Sequence, residues 1–239
     1  MRTMRTRSTE PMNARELPAY SIAEAAHYLR MPTATLRSWV LGRFYPTGRE
    51  RRFFRPIIEL PNRERPQLSF VNLVEAHVLD AIRRDHEVAL KHVRTALAFL
   101  AKQQLRSRHP LAEQDFVTDG LHLFIEEYGR LINISRDGQL AMRAVVDAYL
   151  ERIERDVKGL PIRLFPFTRR RTLDEPRAVV IDPTVSFGRP VLIGTGIPTA
   201  VIAERYKAGD SMDDLAADYG RTRLEIEEAV RCELQVEAA

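Results

Sequence analysis

Residues 20–39, YSIAEAAHYLRMPTATLRSW, decide how the first part of the chain folds. Ser21 and Glu24 stand in the S-x-x-E pattern of a capping box, in which two side chains satisfy free backbone N–H groups at the start of a helix. Apolar residues then recur every three or four positions, which is the spacing of one buried helix face. The stretch therefore predicts a short amphipathic helix that begins at about residue 22.

A second helix is predicted directly after a tight turn. Met31-Pro32 breaks the first helix, Thr33 can cap a helix over 34–41, and Gly42 can end it. Two short helices joined in this way predict a helix-turn-helix, a motif that places its second helix in the major groove of DNA.

An arginine-rich segment lies next to this motif. Residues 49–55 read RERRFFR between two turns and predict a β-wing. Two longer helices are predicted beyond the wing, over 68–84 and 88–106, from apolar residues at helical spacing. Together these elements predict a winged helix-turn-helix unit over residues 18–110.

The charge of the chain is unevenly distributed. The 239 residues carry a formal net charge of +4, yet residues 1–66 hold 13 Lys and Arg against 6 Asp and Glu. Basic charge at one end favours a polyanionic partner, nucleic acid first, although a solvated basic tail is the plainer alternative. We predict base or phosphate contacts from the second helix and phosphate contacts from the wing. The candidate DNA-binding residues are Thr33, Thr35, Arg37, Ser38, Arg49, Arg51, Arg52 and Arg55.

Composition and spacing exclude several classes of protein. No apolar run approaches the ~18 residues of a transmembrane helix, and the first 15 residues hold four arginines without the apolar core of a secretory signal. We expect residues 1–17 to be a flexible tail. The single cysteine, Cys232, excludes an internal disulfide and a cysteine-based metal site and fits a reducing cytoplasm. Because no spacing suggests catalysis, we expect no enzyme, no metal and no cofactor.

Residues 111–168 form a middle region with mixed signals, in which we predict a β-hairpin, a long helix and a strand. The predicted bounds are 121–125 and 131–135 for the hairpin strands, 136–138 for a second turn, 140–157 for the helix and 161–168 for the last strand. Val145, Tyr149 and Ile153 share one stripe of the helix. That stripe is either part of the core or the seam of a dimer.

A charged, turn-forming stretch, residues 169–176, is the predicted linker to a C-terminal unit of residues 177–239. This unit has the pattern of two short strands and three helices with a tight turn before the last, which is similar to homeodomain-like modules. Its predicted strands are 179–181 and 191–193, and its predicted helices are 199–208, 212–219 and 223–234. The whole chain is therefore predicted to be an α+β protein, mainly α.

The N-terminal unit resembles a known family. The segments Tyr20-Ser-Ile-Ala-Glu-Ala-Ala26, Thr35-Leu-Arg-Ser-Trp39 and Leu68-Ser-Phe-Val-Asn-Leu73, with the basic wing between them, are similar to the MerR-type winged helix-turn-helix over roughly residues 18–105. In that family the Leu-Arg-x-Trp segment belongs to the recognition-helix region, which implies that Arg37 contacts DNA. The chain lacks the cysteine loop of the metal-sensing members.

The C-terminal unit carries a second resemblance. Residues 181–198, IDPTVSFGRPVLIGTGIP, with Ala208-Gly-Asp-Ser211 and Leu215-Ala-Ala-Asp-Tyr219, resemble a small bacterial domain of unassigned biochemistry that occurs in VapB-type antitoxins. Taken together, the two units resemble a full-length VapB-type antitoxin of a type II toxin–antitoxin system, with a MerR-like DNA reader at its front.

This resemblance implies partners and a mechanism. VapB-type antitoxins are often encoded beside a PIN-like VapC ribonuclease, whose clustered carboxylates hold a divalent metal. The resemblance implies that the chain covers this toxin or inserts an arginine among its carboxylates. It also implies a homodimer that binds double-stranded operator DNA. The candidate toxin-binding residues are Arg169, Arg170, Arg171, Arg177 and Arg189, and a solvated linker is the plainer reading of the first three.

Two other functions are weighed against the antitoxin. A MerR-like transcriptional regulator without a toxin would sense a small ligand in the middle region, and an apolar pocket within residues 111–168 would favour it. An enzyme would need a catalytic constellation, which the sequence does not offer.

Overall fold

The computed structural model describes residues 13–47, 50–84, 90–102, 108–113, 120–169 and 175–234. Within these ranges the chain is mainly helical, and its short strands pair two by two in antiparallel fashion. The predicted α+β, mainly α class is therefore confirmed. Among the described helices, none has the length and apolar character that a bilayer crossing requires.

The N-terminal elements follow the predicted order of a winged helix-turn-helix. They are a short 3-10 helix at Ala14–Glu16, β1 (Tyr20–Ser21), α1 (Ile22–Tyr28), α2 (Thr33–Leu41), β2 (Arg43–Thr47), β3 (Glu50–Phe54), β4 (Gln67–Leu68), α3 (Phe70–Arg84) and α4 (Leu90–Lys102). Strand β1 pairs with β4, and β2 pairs with β3 to form the wing. The predicted pair of short helices, the wing and the two longer helices are all present.

The N-terminal caps of α1 and α2 compare differently with the prediction. The capping box of α1 forms as predicted, because Ser21 accepts from the backbone N–H of Glu24 while the Glu24 side chain accepts from that of Ser21. The predicted cap of α2 is wrong. Pro32 occupies the cap position without a side-chain hydrogen bond, and Thr33 already lies in the first turn of the helix.

The middle region differs from the prediction in its first half. Its elements are α5 (Leu121–Ile132), α6 (Arg136–Leu150), β5 (Ile153–Arg155) and β6 (Pro161–Leu164). The hairpin predicted over 121–135 is wrong, because the buried residues Leu121, Phe124, Ile125 and Tyr128 are spaced for one helix face rather than for alternating strand faces. The hairpin of this region is formed by β5 and β6 instead.

The long helix is also shifted relative to its predicted bounds of 140–157. The predicted turn at 136–138 is its first turn, because Ser135 accepts a hydrogen bond from the N–H of Gly138 and caps the helix. It ends at Leu150, and the guanidinium of Arg152 then lies in the core, where it donates to backbone carbonyls such as that of Phe165, at 2.8 Å. Val146 and Tyr149 are buried, so this helix face belongs to the core.

The C-terminal elements agree with their predicted positions. They are β7 (Val179–Val180), β8 (Val191–Leu192), α7 (Thr199–Lys207), α8 (Met212–Tyr219) and α9 (Arg223–Glu233). Ser211 and Thr222 cap α8 and α9 through their hydroxyls. Gly220 ends α8 in the left-handed conformation.

Two larger hydrophobic cores organise the chain, and a small third cluster joins Phe165 of the middle region to Val180 and Val191 of the C-terminal unit. One continuous core extends from Tyr20 to Ile181 and contains side chains of both the N-terminal unit and the middle region, so no separate core begins after residue 110. A second core, built around Leu192, Ile202 and Ile226, lies in the C-terminal unit.

The last residues of the predicted flexible tail, residues 1–17, are structured instead. Arg15 forms an ion pair of 2.7 Å with Asp156, and residues 14–16 form a helical turn.

The C-terminal unit is docked onto α1 of the helix-turn-helix. The Tyr20 hydroxyl donates to the carbonyl of Gly188 at 3.0 Å, and Arg189 contacts both Glu24 and the hydroxyl of Tyr28. Gly188 has φ +75°, and a Cβ at this position would lie 2.4 Å from the Tyr20 hydroxyl. The joint therefore requires a glycine at residue 188 for both conformational and steric reasons.

We expect Gly188→Ala to destabilise the protein more than Gly194→Ala does. Both glycines have positive φ, but a Cβ on Gly194 would meet nothing within 4 Å. The Gly194 variant therefore measures backbone strain alone, roughly 1–2 kcal/mol. Displacing the Tyr20 hydroxyl from its buried hydrogen bond should add about 1–3 kcal/mol for Gly188→Ala. Urea denaturation of both variants checks this, and equal losses would show that the contact with Tyr20 does not hold the joint.

A buried histidine gives the fold a dependence on pH. His77 in α3 lies against the rings of Tyr149 and Phe167, and its Nε2–H donates to the Tyr149 carbonyl at 3.1 Å. Burial removes the ring from water and lowers the pKa of His77 to about 3. The folded chain therefore keeps this ring neutral at pH values at which the unfolded chain takes up a proton.

We expect the stabilising contribution of neutral His77 to the free energy of unfolding to be fully present above about pH 6.5. It should be lost progressively as the pH falls from there towards 3. Between pH 7 and pH 5 the free energy of unfolding should fall by about 2 kcal/mol because of His77. His77→Gln should flatten this part of the curve, whereas His122→Gln on the exposed face of α5 should not. Urea denaturation at both pH values measures the difference, and equal pH slopes for the wild-type chain and His77→Gln would contradict the assignment.

Candidate nucleic-acid interface

Helix α2 has one buried and one exposed face. Leu36, Trp39 and Val40 point into the core, while Thr33 and Arg37 lie on the opposite, exposed face. Two of the candidate contact residues therefore stand where a groove of DNA could receive them, near the start of a helix that follows a tight turn.

The other two candidates on α2 are placed differently. Thr35 is half-buried. Ser38 is only 9% exposed, and its hydroxyl donates to the Thr35 carbonyl at 2.8 Å within the same helix. The structure thus turns Ser38 towards the protein interior, away from the face that carries Arg37.

The wing starts two residues after α2 ends, and its two faces have different roles. Phe54 packs against the core and lies under the guanidinium of Arg94, at 4.4 Å from the ring centre. Phe53 lies on the other face, where it pairs across the strands with the exposed ring of Phe44 at 5.0 Å.

The described arginines around the recognition helix and wing are free of carboxylates. Arg51, Arg52 and Arg55 are exposed, and between residues 37 and 65 no described arginine forms an ion pair. Arg43, Arg63 and Arg65 belong to the same exposed group and are not among the predicted contact residues. In the sequence, these three residues are indicated by the general excess of arginine over this stretch and not by a motif. Arg49 lies outside the described residues.

The three candidate toxin-binding arginines that the structure describes are engaged within the chain. Arg169 donates through Nε to Glu228 at 2.9 Å, and Glu228 is fully buried in α9. Arg177 lies 5.8 Å from the ring centre of Phe165 and 3.9 Å from Glu151. Arg189 holds Glu24 and Tyr28 at the joint. Arg170 and Arg171 lie outside the described residues.

The C-terminal unit therefore has the opposite electrostatic character to the wing. Each arginine that the structure describes from 175 to 234 has a carboxylate within 4.0 Å, and these are Arg177, Arg189, Arg205, Arg221, Arg223 and Arg231. Residues 199–234 contain five basic and nine acidic side chains. Because phosphate contacts need cations that are not already neutralised, the wing and not this unit suits a nucleic acid.

The part of the chain that the structure describes shows two further features relevant to ligands. An open cavity of about 600 Å³ lies beside the wing and is lined by residues between Val40 and Arg63, not by the middle region. Among the described residues, no cluster of three or more histidine, cysteine or carboxylate side chains could hold a metal ion.

Comparisons with known proteins agree with this division into two units. Residues 18–97 match the family described as "Putative DNA-binding HTH domain", and residues 179–231 match "Protein of unknown function (DUF433)". Over 233 residues the chain is 32% identical to "Putative antitoxin VapB45" of Mycobacterium tuberculosis, covering 90% of this chain and 93% of that protein. Rv2308 of the same organism is 24% identical, with 88% of each chain covered.

A solved structure shows a similar fold. The crystal structure of Rv2018 from Mycobacterium tuberculosis superposes with a TM-score of 0.63 at 27% sequence identity, covering 90% of this chain and 98% of that one. The similarity therefore extends over both units of the chain and is not confined to the helix-turn-helix.

We expect the exposed arginines to affect DNA binding in two different ways. Arg37→Ala should weaken binding to the chain's own upstream DNA by roughly 1–3 kcal/mol relative to unrelated DNA, because the exposed Arg37 would contact base edges in the groove. Arg51→Ala and Arg52→Ala should each lower the slope of log K against log salt by about 0.9 without loss of selectivity. Gel shifts at several salt concentrations measure both effects.

Arg223→Ala is the matched control for these variants. Arg223 is equally exposed, but Asp213 and Glu227 neutralise it. If this variant changes the salt slope as much as Arg51→Ala does, the division between free and paired arginines does not define the DNA interface.

Proposed function

The chain belongs to the VapB45 antitoxin family, and from this premise we propose that it neutralises a PIN-like VapC ribonuclease and represses its own operon. One observation supports both activities of this proposal. No described arginine between residues 37 and 65 forms an ion pair, while each described arginine of the acidic C-terminal unit has a carboxylate partner. The two units thus suit two partners of different charge.

The DNA-binding activity follows from the N-terminal unit. Thr33 and Arg37 on the exposed face of α2 would meet base edges or phosphates in the major groove. Arg51 and Arg52 in the wing would neutralise flanking phosphates and so set affinity rather than selectivity. A homodimer would present two such units to the half-sites of a two-fold symmetric operator.

The toxin-binding activity is assigned to the acidic C-terminal unit. A ribonuclease must attract RNA phosphates, so the surface around its active site carries positive charge. An acidic surface complements that charge and would compete with RNA for it. Of the two ways to silence the toxin, covering it therefore fits better than inserting an arginine, because Arg169, Arg177 and Arg189 already have carboxylate partners.

Co-expression with the product of the neighbouring reading frame tests the proposal. We expect that product to arrest growth when expressed alone, to be rescued by the wild-type chain, and to co-purify with it. A chain that ends at residue 168 should still bind operator DNA if the units divide as proposed, but should not rescue growth. Melting curves must first show that this shortened chain folds.

The opposite result would favour a different function. If the neighbouring product neither arrests growth nor binds the chain, the antitoxin proposal fails. The open cavity beside the wing would then make a ligand-responsive transcriptional regulator the better explanation. Small molecules that raise the melting temperature would identify such a ligand.

A further inference from the structure

The C-terminal unit contains a short loop with an unusual backbone. Ser186, Phe187 and Gly188 are consecutive residues with φ values of +46°, +56° and +75°. Only the last is a glycine, so the other two hold a left-handed conformation that side chains disfavour. Strain of this kind persists only where the surrounding structure enforces it, and it concentrates at functional sites.

Contacts on both sides of the loop enforce this conformation. Before it, Asp182 accepts hydrogen bonds from the N–H and hydroxyl of Thr184, and Arg163 donates to the same carboxylate at 3.1 Å. Within it, the Ser186 hydroxyl donates to the Gly196 carbonyl at 3.1 Å. After it, Gly188 accepts a hydrogen bond from Tyr20 of β1, and Arg189 contacts Glu24 and Tyr28 of α1.

The result of this bracing is an aromatic side chain that contacts almost nothing in the chain. Phe187 is 95% exposed. The strained backbone therefore does not serve to bury the ring. A large apolar group on a rigid support loses little conformational freedom when a partner covers it, which is the property of an interface anchor.

We propose that Phe187 is the aromatic anchor by which this chain holds its toxin, inserting into an apolar pocket of a basic ribonuclease surface. This inference rests on the antitoxin function proposed above. The loop and α7–α9 would then act together, the ring supplying apolar contact and the acidic helices supplying charge complementarity.

The charge around the loop favours a protein over a nucleic acid. A stacking platform for bases needs free cations to hold the phosphates beside the ring. The nearest arginine along the chain, Arg189, is already paired with Glu24, and the helices that follow are acidic. A second copy of the chain would bring the same acidic helices together and would be repelled, so it fits the surface less well than a basic toxin.

The assignment also explains the role of Arg189 without placing it in the toxin. Its ion pair with Glu24 fixes the end of the loop that carries Phe187. Arg189 is thus a positioning residue, and its substitution should loosen the loop rather than remove a direct contact.

The experiment compares Phe187→Ala with Leu140→Ala in the full-length chain. Leu140 is 66% exposed on α6 and far from the loop in sequence, so it controls for the loss of an exposed apolar side chain. The probe is the purified product of the neighbouring reading frame, and affinity is measured by calorimetry at several salt concentrations. Melting curves should show both variants as stable as the wild-type chain.

We expect Phe187→Ala to raise the Kd by at least about 30-fold, as for an aromatic hot spot, and Leu140→Ala to leave it within about threefold. The dependence of Kd on salt should be the same for Phe187→Ala and wild type, because the acidic helices remain. DNA binding should be unchanged in both variants, which separates this role from a general structural one.

The other outcomes are distinguishable from one another. Equal toxin affinity for the wild-type chain and Phe187→Ala would overturn the anchor while leaving the antitoxin function standing. If even the wild-type chain fails to bind or rescue, the proposed function falls and the anchor with it. Dissociation of a dimer by Phe187→Ala in sedimentation would show that a second copy covers the ring, which also overturns the proposal.

Discussion

The rest of this structure depends on the hydrogen bond between Tyr20 and Gly188, which joins the N-terminal unit to the C-terminal unit. The ring of Tyr20 is buried beside α1, its backbone pairs with Leu68, and its hydroxyl donates to the Gly188 carbonyl across 168 residues of sequence. Removal of the ring from water raises the pKa of this hydroxyl well above its ordinary value, so it remains a protonated donor. One side chain thus links the main core, the helix-turn-helix and the C-terminal unit.

A second buried polar group connects the middle region to the C-terminal unit. The guanidinium of Arg152 lies over the ring of Phe167 and donates to the carbonyls of Phe165 and Glu175. The Glu175 side chain in turn accepts from the N–H of Thr168 at 2.8 Å. Because buried charges and carbonyls must be satisfied, these contacts fix both ends of the predicted linker, residues 169–176.

These two joints give the chain its functional geometry. The described arginines between residues 37 and 65, around the recognition helix and wing, form no ion pair and are exposed, so they suit phosphates. The C-terminal unit neutralises its described arginines with carboxylates and presents an acidic surface with the almost fully exposed ring of Phe187. Because the second unit is docked on α1, a partner bound there would contact a unit packed directly against the DNA reader. Such an arrangement couples the two binding events if the partner favours one position of that unit.

The sequence alone determined the elements whose signals are local. Capping boxes at Ser21 and Thr222 depend on residues three apart, and the arginine excess before residue 66 is a count, so both could be interpreted without the fold. Tertiary structure decided the rest. Ser38 turns inward because α2 packs on the core, whereas the missed helix at 121–132 carries the local spacing of one helix face and needed no tertiary information. Pairing of Arg169 with Glu228 and of Arg189 with Glu24 spans 59 and 165 residues. No rule based on sequence spacing predicts pairs that are so far apart along the chain, because only the packed chain brings those charges together.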